Sequence, residues 1–599
     1  MRRKLAVFLA PLVGTLILAP AFAAKAPKSN NGPLLKLFDQ TWDEDLADDP
    51  LQATQVGDPR FNDKLPDMTQ LAIDARQKKN YARLQSLAKI NRDKLEKEDQ
   101  LNYDLYQRDI KTRIGEYQFK PWMFAVTTGS GPQQLANVAE YAPFNTAKDY
   151  DNWIARINAS GPFIDQWILL LTQGTTEKLT QPRIIINKVL EQLKGPLTAD
   201  VEANPFYAPF KRMPAGIAEA DKARLTGAAK TAIQTVAIPA FQRFDKFLRE
   251  VYLPASRDTV GIYDIPGGDQ YYRNRIAYFT TIDNPDPARI HNLGLDEVKR
   301  IRAEMEKTLA GINFVGSDND KRSELDQFLS FIRNDPRFFF KSSDELLAAY
   351  TKTANAIKPE LPKLFGRLPK SDFDIKVIPA ATAPTTTTAF YQPPSLDGAR
   401  KGAFYVNLYK PETRPTWEVE ALTAHESIPG HHLQIALQYE LTGLPNFRRN
   451  AEYSAYVEGW ALYSEKLGYD LGLYKDDFSK FGQLNYDMWR AVRLVVDTGM
   501  HAFHWTRDQA VYYFKTNTGR SDLDIQNEID RYISWPGQAL SYKLGQLKIQ
   551  ALREEAEKAL GERFDLRAFH DKLLGSGALP LSVLEVEMRA WIAEQSARR

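Results

Sequence analysis

The sequence predicts a mainly α-helical protein with one small β-sheet, and three observations carry that expectation. Apolar residues recur at helical spacing, most clearly Ile290, Leu293, Val298, Ile301, Met305 and Leu309. Asp286-Pro287 stands just before them as an N-cap with proline at the first position, where the N–H that proline lacks would have no intrahelical partner. The clearest strand is Ala403-Phe404-Tyr405-Val406-Asn407-Leu408-Tyr409, in which apolar residues alternate with polar or aromatic ones. The Thr-rich run from Ala380 to Thr388, with Pro393-Pro394 after it, reads as a loop leading into that strand.

The N-terminus stands apart from the fold. Arg2-Arg3-Lys4 precede an apolar stretch from Leu5 to Ala19, and Ala21-Phe22-Ala23 closes it in the small-x-small pattern of a signal-peptidase site. Pro11 and Gly14 interrupt the stretch, which is short of the ~20 residues that a bilayer span requires. Residues 1–23 are therefore expected to be a cleaved secretory signal, an uncleaved anchor being the alternative. Residues 24–32 then form a disordered leader. Residues 33–599 form one helical domain with its motif-bearing part over about 390–599. This places the chain in the periplasm or outside the cell, with no membrane span after cleavage.

There is no cysteine, which removes disulfides, thiolate metal ligands and a lipid-anchored cysteine together. Without residues 1–23 the chain has 75 basic against 76 acidic residues, a balance that attracts neither nucleic acid nor an anionic membrane surface.

Three of the seven histidines fall within His425-Glu426-Ser427-Ile428-Pro429-Gly430-His431-His432. Histidine suits zinc, and a glutamate beside a histidine ligand is placed to take a proton from water. In the short zinc-peptidase motif the two histidines are four apart on one helical turn. Here they are six or seven apart. On a straight helix residues six apart diverge by roughly 120°, and residues seven apart are about 10 Å apart along the axis. Two imidazoles bonded to one zinc at about 2.0–2.1 Å must be much closer. Pro429 breaks the ladder against the carbonyl of His425, and Gly430 adopts backbone angles denied to other residues. If two residues loop out, His431 takes the second ligand position; if three do, His432 takes it. The reading adopted is His431, with His432 behind it.

A third ligand is sought downstream, in Ala455 to Glu465, a mostly apolar helix with Glu458 and Glu465 seven apart and so near one face. A carboxylate among Tyr456, Val457, Trp460 and Leu462 requires a partner or a metal. Glu458 is the stronger candidate and Glu465 the weaker. Two histidines and one glutamate leave a fourth position for water, the arrangement of a catalytic zinc.

The run Glu458-Gly459-Trp460-Ala461 resembles the glutamate-donating helix of gluzincin aminopeptidases. The wider set of segments is similar to a bacterial family catalogued as domain of unknown function 885. These segments are Asp397-Gly398 with Gly402 to Asn407, His425 to His432, Tyr456 to Glu465, Asp497 to His501, and Trp535 to Lys543. The resemblance implies a zincin-like helical metallopeptidase fold with a small sheet next to the active-site helix.

Further residues invite roles. Asp497 and His501, four apart, are within reach of one another on a helix, so that the carboxylate would orient an imidazole able to donate to an oxyanion or to support the metal site. Tyr542 could supply that hydrogen bond without charge. Lys543 could bind a substrate's terminal carboxylate, and Arg493 could do so or pair with Asp497. His291, His504 and His570 read as structural. An edge of the 403–409 strand could pair with an extended peptide, a strand buried in a sheet being the equal alternative. The resulting expectation is one zinc per chain on His425, His431 and Glu458. Glu426 is the general base and His501 or Tyr542 the oxyanion donor, acting on short peptide substrates. The alternatives are a non-peptide amide or ester hydrolase, and a binding or scaffold protein with a degenerate metal site.

Overall fold

A computed structural model describes residues 31–380 and 382–598. The expected signal segment lies outside these residues, as does all but the end of the expected leader. The first helix, Gly32–Asp48, starts at the leader's last residue.

The expectation of a mainly helical chain with one small sheet holds. In the N-terminal half the helix Ala147–Thr176, closed at its start by the Thr146–Asp149 capping box, packs with neighbouring helices around Trp153, Phe206, Phe241 and Phe244. The helix expected after Asp286 runs over Pro287–Ile312, with the Asp286 side chain accepting from the Ala288 N–H. It buries Ile290, Val298, Ile301, Met305 and Leu309, but Leu293 is exposed. Gly294 takes the inner place, because this helix lies so close to a second long helix, Asp477–Ala502, that a Cβ there would stand 2.7 Å from Leu494. These two helices form the spine of the largest core.

The sheet has three strands, β1 (Phe373–Val377), β2 (Ala389–Gln392) and β3 (Gly402–Val406), in the order β1-β3-β2. β3 is parallel to β1 and antiparallel to β2, with Ile375 and Tyr391 both opposite Phe404. The strand expected over 403–409 is thus shorter and is the middle one. All five of its residues are buried, so it offers no edge to a peptide. It ends at Val406, and the next residue, Asn407, donates from its side-chain amide to the carbonyls of Ala383, Thr386 and Thr387 and ties the Thr-rich loop down. β1 escaped the sequence reading although Phe373-Asp374-Ile375-Lys376-Val377 alternates. β2 is too short to carry a pattern.

Candidate metal centre

The stretched histidine motif folds as two helices with a break. The first, Val419–Glu426, ends one residue after His425; the second, Ile428–Pro429 being a cis peptide between them, begins at His431 and runs to Tyr439. Gly430 makes the break possible: a Cβ on it would lie 1.9 Å from the carbonyl oxygen of His425 and 2.4 Å from that of Ala424. No side chain fits where the chain doubles back against its own helix end. The Pro429 carbonyl left over at the break accepts hydrogen bonds from Trp460 Nε1 at 2.9 Å and Ser464 Oγ at 3.3 Å. Both donors belong to the helix Ser454–Asp470, which also carries Glu458. The break is thereby clamped to the helix of the third candidate ligand.

His425, His431 and Glu458 are the one group of three such side chains, among the described residues, placed to share a metal ion. Glu458 Oε2 stands 3.5 Å from His425 Nε2 and 3.4 Å from His431 Nε2. Donors about 2.0–2.1 Å from one tetrahedral ion are about 3.4 Å apart, so the spacing fits zinc. The oxygen is buried and has no hydrogen-bond partner. The donor set contains no sulfur, in keeping with two imidazoles and one carboxylate around a catalytic zinc. Burial opposes ionisation of Glu458, but the two imidazoles hold its carboxyl well below the usual range.

Glu465 lies behind this group, not in it. Its Oε1 accepts from His425 Nδ1 at 2.9 Å and from Arg490 Nη2 at 3.0 Å, and the residue is wholly buried. That bond fixes which nitrogen of His425 is free and turns it toward Glu458. Arg490 is itself held against the rings of Trp489 and Tyr486, 4.2 and 4.5 Å from its guanidinium carbon. His432 faces away: its Nε2–H donates to the Ser371 carbonyl at 3.0 Å and its Nδ1 accepts from Tyr391 Oη at 2.9 Å. Burial lowers its pKa to about 4, so the ring stays neutral. Tyr391, held by His432, stacks on His431 at 6.4 Å between ring centres. Glu426 is buried beside His425, and its carboxylate has no hydrogen bond or ion pair among the described residues.

Tyr542 comes from the helix Ser541–Leu560, and its ring lies nearly parallel to that of His425 at 6.3 Å. The approach depends on Gly459 and Gly545, since a Cβ on Gly545 would be 1.8 Å from the Ala455 carbonyl oxygen. Burial and the nearby Glu458 charge raise the phenol's pKa, which keeps it a hydrogen donor. Its hydroxyl has one long contact, from Gln538 Nε2 at 3.4 Å.

The Asp497–His501 pair does not form, and His501 is not at this centre. Its Nδ1 accepts from the Ile262 N–H at 3.0 Å, and its Nε2–H donates to the Tyr532 carbonyl at 3.0 Å. Both nitrogens are spent on backbone, and burial lowers the pKa to about 3. Asp497 instead accepts from Tyr272 Oη and the Gly537 N–H. Helical spacing placed the two residues within reach, but each turns to a different neighbour. Lys543 is also turned away, wholly buried against Asp487 at 2.7 Å and Glu297 at 2.9 Å. Arg490 and Tyr391 were missed. A cation inside the apolar run Met488-Trp489-Arg490-Ala491-Val492 is the signal for the first, since an arginine there must be paired; Tyr391 carries none.

No curated protein matches the chain. A putative lipoprotein from Colwellia psychrerythraea has a similar crystal structure, with a TM-score of 0.88 and 29% identity over 94% of this chain and 99% of that one. A putative lipoprotein of unknown function from Shewanella oneidensis shares the fold, with a TM-score of 0.67 and 16% identity over 93% of this chain and 99% of that one. The family model described as "Bacterial protein of unknown function (DUF885)" matches residues 50–588, from the N-terminal helices through both motif helices to the last helix, and the chain belongs to that family.

Proposed function

We propose that the protein is a zinc metallopeptidase of zincin-like, gluzincin-type architecture that hydrolyses short peptides outside the cytoplasm. The observation that carries the reading is the unpartnered Glu458 Oε2 facing Nε2 of both His425 and His431, with the unpaired Glu426 alongside. A zinc ion on those three side chains would supply a Lewis acid and lower the pKa of a water. Glu426 follows His425 directly, and takes the proton from the attacking water and returns it to the leaving amine. The Tyr542 hydroxyl, protonated and nearly free, donates to the oxygen that gains charge. Glu465 keeps His425 Nε2 turned inward by holding its Nδ1.

The extracytoplasmic placement rests on residues 1–23. No helix among the described residues is long and apolar enough to cross a membrane. The two similar structures described above are of putative lipoproteins, whereas this chain has no cysteine to take a lipid. Elemental analysis of protein purified without added metal, followed by digestion of a random peptide library, tests the reading. About one zinc per chain and new peptide termini are expected. A zinc-loaded protein that leaves the whole library uncut would defeat the peptidase reading.

A further inference from the structure

Behind Tyr542 lies a second polar cluster that the chemistry above does not use. The Arg493 guanidinium is sandwiched between the rings of Tyr542 and Trp489, at 3.9 and 4.4 Å. Its Nε donates to Tyr532 Oη at 2.8 Å and its Nη2 to Glu528 Oε2 at 3.2 Å. The same Glu528 oxygen accepts from Arg531 Nη2 at 2.9 Å, and Arg531 Nη1 donates at 2.8 Å to Gln538, the residue whose amide reaches the Tyr542 hydroxyl. Two arginines thus share one carboxylate. Asp497, a further acid that feels the Arg531 charge, is turned to Tyr272 and Gly537. Arg493 is 3% exposed, and its Nη1 is buried with no partner. It is one of several buried arginine nitrogens without a partner among the described residues, and it belongs to the guanidinium stacked on Tyr542, next to the metal centre, where an acceptor could complete it. The Arg531 side chain is 24% exposed, which gives the cluster an open side.

The placement matters because Tyr542 lies between this cluster and the metal centre. With 6.3 Å from the His425 ring to Tyr542 and 3.9 Å from Tyr542 to Arg493, the guanidinium is within about 10 Å of that ligand. An extended peptide advances ~3.3–3.6 Å per residue, so about 10 Å is at most three residues, and one or two beyond the bond being cut once the ~2 Å from imidazole to metal and the ~3 Å from guanidinium to carboxylate are taken off. We propose that the Arg493–Arg531 cluster receives the C-terminal carboxylate of the peptide, so that the enzyme removes one or two residues from free C-termini. The proposal rests on the peptidase reading and narrows its substrate class. In the reaction, water adds across the amide bond, its hydroxyl going to the carbonyl carbon and a proton to the leaving nitrogen. The released fragment keeps the carboxylate held by the arginines.

The test uses one random pentapeptide library prepared as free acids and again as C-terminal amides. Retention on immobilised, zinc-loaded Glu426→Gln protein is read by mass spectrometry, with free acids expected at least about 10-fold over amides. Adding Arg493→Gln to that background should level the two. The comparison of acids with amides stands even if that second variant does not fold. Equal retention, no retention, or amides rich in Asp and Glu held as well as free acids would overturn the proposal. Cleavage by the unmodified holoenzyme is read separately, and amidation should lower kcat/KM by at least about 10²-fold. Amides cut at internal bonds as fast as free acids would remove the proposal and leave the peptidase. If neither form is cut, the peptidase reading falls, while retention still judges the carboxylate site.

Discussion

Glu458 and Glu465 stand seven residues apart on one helix and are expected to respond to glutamine in different ways. Glu458 Oε2 faces two imidazole nitrogens at 3.4 and 3.5 Å, so Glu458→Gln removes the proposed metal ligand together with the charge that both imidazoles share. Zinc affinity should collapse, and the metal-free chain should lose the stabilisation that the carboxylate draws from the two imidazoles. Glu465 is wholly buried, bonded to His425 at 2.9 Å and Arg490 at 3.0 Å. Breaking a buried ion pair on one side costs about 3–5 kcal/mol. At about 2.1 cal/mol/K per residue over 599 residues, that lowers the melting temperature of the metal-free chain by about 2–4 °C. Loss of the carboxylate behind a histidine ligand weakens metal binding by roughly 10–100-fold, well short of losing a ligand. Competition with a chromophoric chelator gives the affinities, and circular dichroism gives the metal-free melting curves. If Glu465→Gln loses zinc as completely as Glu458→Gln and melts unchanged, the ligand assignment is wrong.

Glu426→Gln should keep zinc at the unmodified level and lower kcat by roughly 10²–10⁴-fold, and a zinc-loaded variant with full activity would exclude the general base. Gly430→Ala forces a Cβ to within 1.9 Å of the His425 carbonyl, so zinc content should fall with stability; Gly443→Ala, with nothing within 4 Å, should leave both unchanged. His501 and His570 are buried neutral, their pKa lowered by burial to about 3, so the unfolded chain takes up protons below about 6.5 that the folded chain refuses until about 3. Their contribution is complete above that upper value and fades as pH falls. Urea unfolding of metal-free protein should lose about 2 kcal/mol per histidine between pH 7 and pH 5, and an unchanged midpoint would contradict it.

Local rules carried furthest where the chain obeys one periodicity or breaks it with one residue. Asp286-Pro287 fixed a helix start, and Pro429-Gly430 forced a break that brings His431, not His432, beside His425. Spacing could say that a straight helix would separate the two histidines. It could not say that Trp460 and Ser464 would hold the loose carbonyl of Pro429, because that bond joins segments 31 and 35 residues apart. The same limit explains Asp497 and His501. Four residues on a helix make contact possible, but the backbone N–H groups of Gly537 and Ile262 arrive from 40 and 239 residues away and take each side chain in turn.

The polar residues in apolar surroundings carry the deeper signal. Glu465, Asp487, Arg490, Arg493, Glu528 and Lys543 all sit in helical segments with apolar neighbours, and all are buried. A charge in such a place demands a partner, so the sequence announces that partners exist without naming them. The fold supplies the names: Glu465 with Arg490, Asp487 with Lys543, Glu528 with Arg493. Of the atoms these pairings leave unanswered near the candidate site, which include His431 Nδ1, Glu465 Oε2 and Arg490 Nε, two flank Tyr542: Glu458 Oε2 and Arg493 Nη1. One suits a cation and the other an anion, with Tyr542 between them, and that order matches a peptide held by its carbonyl at one end and its carboxylate at the other.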